Sequence, residues 1–147
     1  MIQSINFAKM LLIGALFLSV TSCEKEEILT DTKIPAEIQA YVNTHFSNHN
    51  ILQVKEDTDL LSHSYEVVLS GGIKLEFNNK KEIVEISSPN ELPSSVIPEK
   101  IGAYVKTNFP DNTIIKWEID NKQQEVKLNN DIELIFTLEG DFLRIGD

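Results

Sequence analysis

The residues best suited to chemistry in this chain are its three histidines, two of which, His45 and His49, lie four positions apart. On a helix that spacing places both imidazoles on one face, as metal ligation would need. Residue 46 is Phe rather than Glu, so the His-Glu-x-x-His arrangement of zinc proteases is absent. His63 stands apart, in a stretch that reads as a hairpin loop. Asp57-x-Asp59 and the Asn/Asp-rich turns offer oxygen ligands, but without the central glycine and spaced carboxylates of a calcium loop. No Gly-x-Ser-x-Gly elbow, Gly-rich phosphate loop or Cys/His nucleophile pair occurs. The carboxylates sit at alternating exposed strand positions, whereas acid–base work needs a pair converging on a recess. The expectation is a non-enzymatic protein without a cofactor; metal binding near His45 and His49 stays open.

The element that carries His45 occurs twice. Ile34-Pro35-Ala36-Glu37-Ile38-Gln39-Ala40-Tyr41-Val42-Asn43-Thr44-His45-Phe46 returns 63 residues later as Ile97-Pro98-Glu99-Lys100-Ile101-Gly102-Ala103-Tyr104-Val105-Lys106-Thr107-Asn108-Phe109. Ile34, Ile38, Tyr41, Val42 and His45 follow the i, i+4, i+7, i+8, i+11 stripe of an amphipathic helix. Pro35 and Pro98 suit a first helical position, where the missing N–H is no loss. His45 and His49 become Asn108 and Asn112 in the second copy, so the repeated architecture does not need histidine there.

After each helix the apolar period changes from 3.6 to 2, which predicts strands. They are Ile51–Asp57, Ser64–Leu69, Ile73–Asn78 and Glu82–Ser87 in the first copy. In the second they are Thr113–Asp120, Gln123–Asn129, Asp131–Leu138 and Asp141–Gly146. Ser70-Gly71-Gly72, Asn78-Asn79-Lys80-Lys81, Asn129-Asn130-Asp131 and Glu139-Gly140-Asp141 supply turns. Beyond the first strand the offset falls to 59, because the loop Thr58–His63 shrinks to Asn121-Lys122. Strict alternation turns Leu52, Val54, Tyr65, Val67, Leu69, Ile73, Leu75 and Phe77 toward the helix. Ile115, Trp117, Ile119, Val126, Leu128, Ile132, Leu134 and Phe136 do the same in the second copy. The other face carries Glu66, Lys74, Glu76, Lys116, Glu118, Glu125, Lys127, Glu133 and Arg144, a mixed-charge surface open to water. Val68, Ile114, Ile135 and Phe142 fall on it as apolar residues, and they are the candidate partner contacts, together with the hairpin Asp57–Ser64.

The N-terminus reads as an address. Lys9 precedes an apolar run, Met10 to Val20, too short to span a bilayer. Val20-Thr21-Ser22-Cys23 has the small residues and cysteine of a lipobox, and Cys23 is the only cysteine. The mature protein would begin at a lipidated Cys23. Residues 1–22 are then a lipoprotein signal peptide and 23–33 a flexible tether. The first repeat takes 34–88, a linker 89–95 and the second repeat 96–147. The signal carries one basic and no acidic residue, so the mature chain keeps 12 Lys and Arg against 23 Asp and Glu, a net −11. Such a chain is repelled by nucleic acid and gains nothing from anionic lipids, so membrane attachment rests on the acyl chains.

Pro35, Tyr41, Phe46, Tyr65-Glu66-Val67, Leu69, Gly71, Leu75 and Phe77 form a pattern. Pro98, Tyr104, Phe109-Pro110, Glu125-Val126, Leu128, Leu134, Phe136 and Phe142-Leu143-Arg144-Ile145 repeat it. Over about 110 residues the set resembles the PepSY-like, beta-lactamase-inhibitor-like family, small secreted or lipidated proteins common in Bacteroidetes. One departure is Asn129-Asn130-Asp131 in place of the family's Gly turn. The resemblance implies an α+β fold of two tandem helix-plus-four-strand repeats. These would join into one curved eight-stranded antiparallel sheet with the helices on one face. It implies no catalysis. By fold-level analogy it implies a binder or inhibitor of an envelope or extracellular protein. The alternative is a small ligand, peptide or glycan, in a groove between the repeats. The expected location is the outer membrane, as a lipoprotein on its periplasmic or cell-surface side. Charged Glu24-Lys25-Glu26-Glu27 after the cysteine is compatible with surface display or with a plain solvated tether.

Overall fold

The protein is described here by a computed structural model that covers residues 25–58, 63–120 and 122–146. The helices are α1 (Ala36–His45) and α2 (Glu99–Asn108). Pro35 and Pro98 stand just before them with extended ψ angles of 139° and 135°, one position earlier than expected. Their carbonyls accept the first helical bonds, from the N–H groups of Gln39 and Gly102. Phe46 and Phe109 close the helices, each donating its N–H to the valine four residues earlier, Val42 or Val105, at 2.8 Å.

The strands are β1 (Lys25–Ile28), β2 (Ile51–Thr58), β3 (His63–Leu69), β4 (Lys74–Phe77), β5 (Ile83–Ser87), β6 (Ile114–Asp120), β7 (Gln123–Leu128), β8 (Glu133–Thr137) and β9 (Phe142–Ile145). They form one open, curved antiparallel sheet in sequence order, with both helices on one face. The eight strands of the two repeats are all present. The ninth, β1, lies within residues 23–33, expected as a flexible tether, and gives Lys25–Ile28 a fixed place in the sheet. Lys25, Glu26, Glu27 and Ile28 pair with Thr58, Asp57, Glu56 and Lys55. Charged residues have poor strand propensity, but the open edge of β2 supplies a ladder, and Lys55–Glu26 (2.8 Å) and Lys33–Glu27 (2.8 Å) pin the segment to its surroundings.

Ile38, Val42, Val67, Leu75, Phe77 and Ile86 from the first repeat pack in the same core as Ile101, Val105, Trp117, Val126, Leu134 and Phe136 from the second. The repeats join along β5–β6, where Glu85, Ile86 and Ser87 pair with Glu118, Trp117 and Lys116. The linker is held as well: Leu92 is buried, and the N–H groups of Ser88 and Leu92 bond the carbonyls of Ile115 and Ile114.

The duplication extends to the irregularities. β2 slips register between Ile51 and Gln53, and β6 between Ile114 and Lys116. The β4–β5 slip between Glu76 and Phe77 returns as the β8–β9 slip between Ile135 and Phe136. Each bulge switches the face of the residues beyond it. Strict alternation therefore fails at four places. Leu52, expected inside, is 66% exposed, and Ile114, expected on the open face, joins the core. Ile115 is half-buried in the bulge. Phe142 turns toward the helices and stacks on Tyr104, with ring centroids 4.5 Å apart. Ile119, also expected inside, is 41% exposed at the end of β6.

Candidate functional site

Register sorts the charges of the outer sheet face into rows. Lys55 pairs with Glu66, Glu66 with Glu76, Glu76 with Glu85, Glu85 with Glu118, and Glu118 with Glu125. Five glutamates thus stand side by side across β3 to β7. The row continues through Ile135 to Arg144. The next row along the strands runs Val68, Lys74, Ser87, Lys116, Lys127 and Glu133. The mixed-charge surface is a stripe of carboxylates flanked by a stripe of lysines.

Like charges directly opposite each other in a sheet destabilise by a few tenths of a kcal/mol to about 1 kcal/mol per pair. One lysine relieves the middle of the row: Lys116 Nζ lies 2.7 Å from Glu118 and 3.4 Å from Glu85. Burial opposes the charge on Lys116. The hydrogen bond to Glu118 and the charges of both glutamates nevertheless hold its pKa above the usual lysine value. Burial raises the Glu85 carboxyl against the pull of Lys116, and contact with Glu118 raises it further. Burial also raises Glu125, helped by repulsion from Glu133 and Glu118. Among the described residues no ion pair reaches Glu66, Glu76 or Glu125.

A carboxyl with a raised folded-state pKa is protonated more readily in the folded than in the unfolded chain. Its favourable contribution is complete below the ordinary glutamate pKa and is lost as pH rises through the raised value. Glu85→Gln is therefore expected to raise the melting temperature at pH 7 and to leave it unchanged at pH 4. About a third of the side chain meets solvent, so the gain is a few tenths of a kcal/mol, about 1–2 °C. Thermal scans at the two pH values check this. An equal shift at both would show that Glu85 does not titrate abnormally.

Two of the four expected partner contacts lie on this face. Val68 is half-buried between Gln53 and Lys74. Ile135 is buried, although it faces away from the helices, between Glu125 and Arg144. Ile114 and Phe142 belong to the helix side, for the bulge reasons given above.

The histidines do not share one helix face, because α1 ends at His45. His45 Nδ1 lies 3.0 Å from Ser95 Oγ, tying the helix end to the linker. His49 Nδ1 donates to the Ser70 carbonyl at 2.8 Å. Both line a cavity of about 390 Å³ with Asn48, Asn90 and Gly71. A larger cavity, about 670 Å³, lies beside α2 and is lined by Leu92, Ile97, Val105 and Ile114 with Glu91 and Lys106. The first is lined by the first repeat and the linker, the second by the linker and the second repeat. Neither is a groove between the repeats. Among the described residues no group of three or more His, Cys, Asp or Glu is arranged to hold a metal ion.

One cluster had no sequence signal. His63 Nε2 meets Glu56 Oε1 at 2.7 Å, and the Tyr65 hydroxyl donates to the same oxygen at 3.1 Å. The Lys81 ammonium sits 5.9 Å from the Tyr65 ring centre. The β2–β3 register, which sets Glu56 opposite Tyr65 and Thr58 opposite His63, creates this cluster at the hairpin end of the sheet. Cys23 lies outside the described residues, as do residues 59–62 of the hairpin.

These features define a class: a small duplicated α+β protein with helices on one side of an open sheet and a charged face on the other. A family model described as "Putative beta-lactamase-inhibitor-like, PepSY-like" matches residues 19–62 and 63–144, and the chain belongs to that family. Three solved structures from Bacteroides are similar. One, from Bacteroides thetaiotaomicron, is described as "a putative calcium-regulated periplasmic protein". It is 35% identical, with a TM-score of 0.78 over 83% of this chain and 97% of that one. A second, from Bacteroides vulgatus, is called a periplasmic protein of unknown function (34% identity, TM-score 0.78, 84% of this chain and 100% of that). A third, also from Bacteroides vulgatus, is described as "a putative periplasmic protein from DUF2874 family" (32% identity, TM-score 0.75, 83% and 97%). No curated protein matches the chain.

Proposed function

We propose that this protein is a non-enzymatic lipoprotein of the bacterial cell envelope, attached through Cys23, that holds a protein partner on the outer face of its sheet. The observation that carries this reading is the row Glu66, Glu76, Glu85, Glu118 and Glu125. A row of adjacent carboxylates costs folding energy in isolation and loses that cost against lysine or arginine. The partner is therefore a protein that presents a basic strip. The relatives described as periplasmic and the lipobox support an envelope location. The inhibitor-like description of the family agrees with a binding role. Calcium regulation is part of one relative's description and is no part of this reading.

The test is a cross-linking capture from the native envelope with the lipidated protein. Glu66 and Glu76 are exposed, and no ion pair among the described residues uses them. Glu66→Lys with Glu76→Lys is expected to lose the captured partner while the protein stays folded, and raised salt should weaken wild-type capture. A captured set identical in wild type and variant would sink the sheet-face reading. The second reading, a small peptide or glycan, is favoured by the roughly 670 Å³ cavity beside α2. A ligand-dependent rise in melting temperature that Glu66→Lys leaves intact would select it.

A further inference from the structure

We infer that the lipid-facing part of the molecule is the end of the sheet formed by the start of β1 and the adjoining ends of β2 and β3 at Thr58 and His63, held against the headgroup surface by the shortness of the anchor. This rests on the lipoprotein reading above. Two residue steps separate Cys23 from Lys25, a reach of at most about 7 Å. Lys25 is already a sheet residue, opposite Thr58, and Thr58 lies opposite His63. Adjacent strands are about 4.8 Å apart, so Thr58 and His63 stay within about 17 Å of the acylated cysteine, however the domain tilts.

The segment that would have given freedom is folded. β1 holds four register pairs to β2, and the Leu29 N–H continues the ladder to the Val54 carbonyl at 2.8 Å. At the other end of β2, Ile51 pairs with Leu69 just before the Gly71 turn. Seven residues of strand put that end about 23 Å from Thr58. The cavity with His45, His49 and Asn90 opens there.

The placement reassigns the hairpin Asp57–Ser64. It was a candidate partner contact because it is four residues longer than its counterpart at Asn121-Lys122. The position of its described ends, Asp57, Thr58, His63 and Ser64, beside the anchor puts them on the bilayer side, and the partner surface is left to the outer face of the sheet.

The full lipidated protein in vesicles containing a headgroup spin-labelled lipid tests this. Acylation occupies the Cys23 sulfur, so Thr58→Cys and Asn90→Cys each provide one thiol for a fluorophore; both residues are exposed. Quenching is expected to be several-fold stronger at 58 than at 90. Inserting twenty Gly/Ser residues between Glu24 and Lys25, a mean reach of about 25 Å, should bring the two values together. Equal quenching at 58 and 90 in vesicle-bound protein of native length overturns the orientation alone. If Cys23→Ala leaves the protein in the membrane fraction, the anchor reading falls and the orientation with it.

Discussion

Phe136→Ala is expected to destabilise the protein by about 3–5 kcal/mol, the largest effect of any single truncation considered. Phe136 is fully buried, and its ring meets Tyr104 edge-on at 5.4 Å and Phe142 at 5.7 Å. Tyr104 and Phe142 stack on each other. The three rings join β8, the edge strand β9 and α2. Removing Phe136 leaves a cavity under α2 and β9 that cannot close without moving the helix. The first repeat provides the comparison. Phe77 meets Tyr41 at 5.4 Å in the same edge-on geometry, but the counterpart of Phe142 is Ile83, so Phe77 meets one ring where Phe136 meets two; Tyr41 has its other ring neighbours in His45 (4.6 Å) and Phe46 (6.5 Å). Phe77→Ala should therefore cost the transfer and cavity terms and one ring pair rather than two. Urea unfolding of both variants measures the difference. A loss below about 1.5 kcal/mol at Phe136 would mean that the site collapses freely and that the ring cluster does not hold β9.

That comparison is possible because the duplication could be read from the sequence alone. Ile38/Ile101, Val42/Val105 and Phe77/Phe136 repeat in place, and these are helix and strand positions whose side chains need one burial environment. The bulges were not visible. A bulge is a property of a pair of strands, and Leu52, Ile115 and Leu143 carry no local mark that they are the extra residue. One extra residue inverts everything beyond it, which is why strict alternation puts Ile114 and Phe142 on the open face while the structure turns them to the helix side. The glutamate row was hidden for the same reason. Its members lie 10, 9, 33 and 7 positions apart along the chain, and only register brings them abreast. Nothing local marks β1: Lys25-Glu26-Glu27 reads as solvated chain, and the residues of β2 that make it a strand lie 27 to 33 positions away. Core residues are legible because each is selected by its own environment. The face that a partner would meet is built from relations between strands.

The same contrast, between what the copies share and where they diverge, predicts the second large effect. In the first repeat Val54 and Tyr65 occupy the helix side of β2 and β3, and the tyrosine hydroxyl finds Glu56. In the second, the large ring has moved to the first strand as Trp117, and Gln124 stands at the tyrosine position. Gln124 is the one buried polar side chain among the described residues, and its bonding is complete. Its Oε1 accepts the Trp117 indole N–H at 2.9 Å, and its amide donates to the carbonyls of Thr137 (3.1 Å) and Leu138 (2.9 Å). Gln124→Leu keeps the volume but strands a buried donor, at an expected cost of about 2–3 kcal/mol. Tyr65→Phe should cost about 1 kcal/mol, because Glu56 retains His63 as a partner. The decisive variant is the double one. Trp117→Phe with Gln124→Leu removes donor and acceptor together, so it should lose less than the two single changes added. If the losses simply add, the amide and the indole are not coupled, and the exchange of Tyr65 for Trp117 between the repeats was a matter of volume alone.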